Sequence, residues 1–95
     1  MKVLGDAAAA HLDRALSDLE LTELYSCFPS AVRVQQRELG LDPDGTPTIM
    51  GSMAFAGGPF NNFTYQATAA VADRLRDGDG TFGMVTTVSG LLTKP

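Results

Sequence analysis

Segments with helical periodicity alternate with short β-type runs along the whole of this 95-residue chain, and that alternation narrows the fold more than any other feature. Helices and strands that take turns in this way pack as layers around a largely shared sheet. The first helical pattern covers residues 3–19: Leu4, Ala8, Leu12 and Leu16 recur every four residues, joined by Ala15 and Leu19, with Asp6, Asp13, Arg14 and Asp18 mostly opposite. Residues 21–26 read as a short strand. Phe28 and Pro29 open a second helix, because proline suits a first turn whose N–H groups lack intrahelical partners. Val32, Gln35, Gln36 and Leu39 continue it, and Gly40 is a natural stop.

Residues 42–47 are rich in turn formers, residues 48–50 read as a short strand, and residues 51–60 as a glycine-punctuated loop. A third helix follows, with Asn61 or Asn62 as its cap and Phe63, Ala67, Ala70, Val71 and Leu75 as its apolar face. Residues 77–80 form a turn, residues 83–88 a β-rich run, and residues 91–93 the start of a further strand. The expected fold class is α/β, in the order α-β-α-β-α-β, with helices on a mixed sheet.

Composition excludes several function classes. With 44% hydrophobic and 19% charged residues, the chain has enough apolar material for a packed core and is not a disordered tail. A net charge of -4 with seven scattered Lys and Arg leaves no basic stripe, which argues against nucleic acid as a partner. No apolar stretch approaches the roughly 20 residues that span a bilayer. The single cysteine, Cys27, rules out an internal disulfide and suits a cytoplasmic protein.

Few residues are candidates for chemistry. Cys27 lies between a strand and a helix start, a setting in which thiols can be reactive. The plainer expectation is a small buried thiol beneath the helix. His11, the only histidine, sits on a distant helix with no spacing that pairs it with Cys27. The run Gly57-Gly58-Pro59-Phe60-Asn61-Asn62 leads into a helix. Glycines there allow close approach of a ligand, and helix N–H groups could receive an oxyanion or a phosphate, which makes Gly57, Asn61 and Asn62 substrate-binding candidates; the plainer expectation is an ordinary strand-to-helix turn. Asp42, Asp44, Asp77 and Asp79 read as turn residues, and the Asp-Gly-Asp-Gly run lacks the rest of a calcium-loop pattern, so no metal is expected. Tyr25 and Tyr65 read as half-buried packing residues with polar tips.

Three separated segments carry a family resemblance: residues 23–32 around Tyr25-Ser26-Cys27-Phe28, residues 51–62 around Gly57-Gly58-Pro59, and residues 85–94 around Thr87-Val88-Ser89-Gly90. In order and spacing they resemble three loops of the C-terminal half of actinobacterial acetyl-CoA acetyltransferase-like proteins of the thiolase superfamily, close to the sterol-carrier-protein type. The resemblance covers most of residues 20–95, and it implies that residues 1–95 are one partial C-terminal domain of a two-half, five-layered thiolase fold. An active thiolase draws its nucleophilic cysteine from the N-terminal half. Its C-terminal half supplies Asn or His from Asn-Glu-Ala-Phe or His-Asp-Cys-Phe, His from Gly-His-Pro, and a second cysteine from Cys-x-Gly.

On that alignment Tyr25 stands at the Asn/His position, Gly58 at the catalytic His and Thr87 near the acid/base cysteine. These are the catalytic positions the resemblance implies, each with the family's residue type replaced, and Cys27 matches a structural cysteine. The implied function is that of a fragment of a thiolase-like acyl-CoA acyltransferase, expected to be inactive alone, with acyl-CoA as substrate and no cofactor. A thiolase-like acyl-CoA lyase working beside an OB-fold partner is an alternative, because tyrosines occupy such positions in retro-aldolases. A non-catalytic acyl-CoA binder is another, and a small dimerising interaction module a third. The partner expected in each case is a second copy of the chain or the missing N-terminal half.

Overall fold

The computed structural model describes residues 1–60 and 62–88. The chain forms α1 (Lys2–Leu12), a 3-10 turn (Leu16–Asp18), β1 (Leu21–Glu23), α2 (Pro29–Leu39), α3 (Ser52–Ala56), α4 (Asn62–Arg76) and β2 (Gly83–Val85). It is a mixed helix and strand arrangement of the α/β kind. The strands pair in parallel, with Leu21 opposite Gly83, Thr22 opposite Met84 and Glu23 opposite Val85. Parallel neighbours need a long crossover, and α2, α3 and α4 supply it.

The helix ends share one device. Asp13 and Gly40, immediately after α1 and α2, and Gly78, two residues beyond α4, adopt left-handed conformations. In each case that residue's N–H bonds three residues back and the next N–H bonds five back: Asp13 to Ala10 and Arg14 to Ala9, Gly40 to Arg37 and Leu41 to Gln36, Gly78 to Leu75 and Asp79 to Arg74. These are Schellman closures, which satisfy carbonyls left over at the helix end.

The first closure corrects the expected helix over residues 3–19. Aspartate tolerates the left-handed region better than most residues, so the helix stops at Leu12. Ala15 is extended, and Leu16 turns inward to pack with Leu24 and Leu39. A continuous helix would have carried Leu16 along its axis and away from that cluster. Ala8, Leu12, Leu19, Val32, Leu41 and Met84 complete this part of the core. The other part is α4, which packs on both strands through buried Phe63, Ala67 and Val71. A Cβ at Gly83 would lie 2.4 Å from Val71 Cγ1, so the helix reaches the sheet only because β2 opens with glycine.

The expected strand at residues 48–50 is absent, so among the described residues the order is not α-β-α-β-α-β and the two-stranded sheet is parallel, not mixed. The Ile49 and Met50 N–H groups, which a ladder would have used, donate instead to the Glu23 carboxylate. A short helix, α3, replaces the expected loop that follows. The expected strand over residues 21–26 ends at Glu23 for a related reason. The Leu24 N–H goes to the Pro47 carbonyl and the Tyr25 N–H to the Thr86 hydroxyl. The expected strand at residues 91–93 lies outside the described residues. Among the described residues, no helix is long and apolar enough to cross a membrane.

Candidate functional site

In parallel sheets, ligands bind beyond the carboxyl ends of the strands, where loops and helix starts converge. Here that edge is organised by two buried polar groups. Gln35 sits on the inner face of α2, at i+4 from Ala31 and i-4 from Leu39. Its side-chain N–H donates to the Tyr25 carbonyl at 2.7 Å and to the Ala31 carbonyl at 3.1 Å. Its oxygen accepts the Thr86 hydroxyl at 2.6 Å, and that hydroxyl oxygen accepts the Tyr25 N–H at 2.9 Å. The two strand ends are thus tied to α2 and to each other at Tyr25 and at Thr86, the residue before Thr87.

The second group is Glu23, fully buried at 0% exposure. Leu21 and Glu23 occupy alternate positions of β1, so the acid lies where the register calls for an apolar residue. A buried carboxylate is tolerated only when its lone pairs are filled. The Thr48 hydroxyl lies 2.8 Å from both oxygens, and the Ile49 and Met50 N–H groups donate at 2.7 and 3.0 Å. Thr48 Oγ1 in turn accepts the Ser52 N–H, and Ser26 Oγ accepts the Met53 N–H. Those two hydroxyls satisfy the opening N–H groups of α3, so the short helix hangs from β1 by polar contacts. It has no buried residue of its own.

The candidate residues are distributed as follows. Tyr25 is half-buried just past β1, with its ring edge-on to Phe63 at 5.5 Å between centroids and 80° between planes. Thr87 is exposed just past β2, its hydroxyl 3.0 Å from that of Thr64 in the first turn of α4. Tyr25 and Thr87 therefore share one edge. Gly58 is exposed in the loop after α3, and its nearest neighbour for an added Cβ is Met53 Sδ at 3.9 Å. Its link to Tyr25 is indirect, through Met53 and Ser26.

Two backbone donors of the glycine loop are engaged. Gly57 N–H bonds the Met53 carbonyl, and Asn62 N–H bonds the Pro59 carbonyl. Asn62 is the first residue of α4 and exposed, so it is not the residue before the helix; Asn61 lies outside the described residues. Comparison with known protein families, curated proteins and solved structures found no match.

Cys27 corrects one expectation. It is exposed, not packed beneath α2, because Phe28 is the residue before the helix and the chain is still extended there. Glu23, Gln35, Thr48 and Thr86 were not singled out from the sequence. A signal was present: an acid in the inward register of a strand, and a glutamine inside the apolar stripe of a helix. Each breaks a local pattern, and such breaks concentrate where a chain builds something specific. Beyond this edge, Glu20 anchors the approach to β2. Its carboxyl is held below the ordinary range, first by its own backbone N–H and then by that of Phe82.

Proposed function

We propose that this chain contributes part of the acyl-thioester site of a thiolase-like acyl-CoA acyltransferase and does not carry out acyl transfer alone. The observation supporting this reading is the position of Tyr25 and Thr87. Two residues that the resemblance puts at catalytic positions follow the carboxyl ends of adjacent parallel strands, joined through Thr86 and Gln35. A carbonyl lying across that edge would meet the half-buried Tyr25 ring and the Thr64–Thr87 hydroxyl pair. Glycine at position 58 has no side chain to transfer a proton, so this position does not supply the acid/base role that histidine fills in the family. The reading places the protein in the cytoplasm, where acyl-CoA is available.

Isothermal titration with acetyl-CoA and with free CoA tests this proposal. The proposal expects saturable binding of the thioester, weakened in a Tyr25→Phe variant that keeps the ring on Phe63. It expects no turnover of acetoacetyl-CoA. Equal binding of acetyl-CoA by the parent and variant, or measurable thiolysis that is lost in Cys27→Ala, would overturn it.

Four exposed aromatic rings favour a second reading, in which the chain works as an assembly module. Phe28, Phe55, Phe60 and Tyr65 are 66%, 87%, 89% and 75% exposed. Exposed apolar groups mark association surfaces where they form a contiguous patch. Self-association follows from this reading, and light scattering at micromolar concentration checks it: a dimer or larger species supports it, and a clean monomer refutes it.

A further inference from the structure

A groove of about 560 Å3 runs between the first turns of α2, the 45–48 loop and α3. That volume is in the range that holds small organic ligands. Tyr25, Gly58 and Thr87 do not line it, so it is separate from the thioester edge. Leu24, Pro29, Val32, Pro47, Met53 and Ala54 give it apolar walls.

Most polar groups along those walls are already committed to the fold. Ser26 Oγ accepts the Met53 N–H, Thr48 Oγ1 serves Glu23 and Ser52, and Gln36 bonds Arg33 and the Asp42 carbonyl. Arg33 differs. Only Nη1 of its guanidinium is engaged among the described residues, by Gln36 Oε1 and the Pro43 carbonyl. The remaining N–H groups form a fork suited to a carboxylate. The nearby Asp42 carboxylate accepts the Asp44 N–H within its own loop. In a chain of net charge -4, the groove carries one cation and, among the described residues, no acidic side chain.

The outer wall is α3, a short helix bracketed by Gly51 and Gly57 with φ of 79° and 85°, with no buried residue and held by the Thr48 and Ser26 hydroxyls.

We propose that this groove binds a medium-chain anionic amphipath. The carboxylate sits on Arg33, and the alkyl chain lies against Val32, Pro47 and Met53 beneath α3. The ligand is recognised as a free acid, so its binding does not depend on the thioester reading.

The test is an amide chemical-shift titration of the full chain with sodium octanoate, below micelle-forming concentration, against octan-1-ol. Saturable shifts are expected at Val32, Arg33, Met53 and Ala54, with octanoate about fivefold tighter than the alcohol from the charge-assisted contact. Arg33→Gln should abolish that preference and leave octanol binding unchanged. Met53→Gln, which makes the apolar wall polar, should weaken both ligands. Equal affinity of the parent for octanoate and octanol, saturable shifts confined to other residues, or no saturable shifts at all would overturn the proposal.

Discussion

Replacing Glu23 with glutamine removes one charge from the centre of the loop anchor and almost no volume. Oε2 receives the Thr48 hydroxyl and the Ile49 and Met50 N–H groups, while Oε1 receives only the Thr48 hydroxyl. An amide oxygen in the Oε2 position keeps the two backbone donors but loses the charge that strengthens them. Hydrogen bonds to charged groups contribute about 1.5–3 kcal/mol and neutral ones about 0.5–1.5. Removing a fully buried charge also relieves desolvation, which offsets part of the loss. The net expectation for Glu23→Gln is a destabilisation of about 1–2 kcal/mol. Glu23→Ala leaves two N–H groups and a hydroxyl unsatisfied in a cavity, and should cost about 3–5 kcal/mol. Small domains have only about 5–15 kcal/mol in total, so the alanine variant should be near the edge of folding. Urea unfolding followed by far-UV circular dichroism measures both values. Amide exchange at Ile49 and Met50 shows whether the loss is local. A Glu23→Gln protein as stable as the parent, with unchanged protection at those two amides, would refute the anchoring role.

Thr86→Val deletes the hydroxyl between Tyr25 and Gln35 and should cost about 2–4 kcal/mol in the same unfolding assay, because an N–H and a carbonyl-type oxygen lose their buried partner. Gly57→Ala meets no atom within 4 Å, yet forces a side chain into φ 85° and ψ 164°; it should cost about 1–3 kcal/mol in strain, seen by exchange as loosening around α3. Gly58→His has room for its Cβ and no left-handed φ to resist it; stability should stay within about 0.5 kcal/mol, and acetoacetyl-CoA thiolysis should remain absent. The depressed Glu20 carboxyl stabilises the fold above the ordinary glutamate range, near pH 4.3, and that contribution fades as pH falls through the lower folded value. A Glu20→Gln variant should therefore lose stability at neutral pH but show a flatter acid limb in a pH series of urea midpoints.

The elements that were legible in the sequence are those whose signals are local. Proline at the start and glycine at the end bounded α2, and the spacing of Phe63, Ala67 and Val71 carried α4. The elements that were not legible depend on distant partners. Leu16 fits the periodicity of α1, but its place is set by Leu24 and Leu39, so the chain breaks at Asp13 to reach them. Residues 48–50 have strand composition, but Glu23 captures their donors before a ladder can. For the candidate site, the resemblance points to Tyr25 and Thr87, and these two residues follow the ends of the two strands. The buried Thr86–Gln35 tie that holds those ends together joins residues 51 positions apart, and no local pattern encodes it.

Mapping acetyl-CoA onto the amide spectrum of the full chain tests the thioester reading most directly. Saturable shifts are expected at Tyr25, Thr64 and Thr87, along the carboxyl ends of β1 and β2, with smaller changes at Gly58. Saturable shifts elsewhere with that edge unmoved, or no shifts at millimolar thioester, would contradict it.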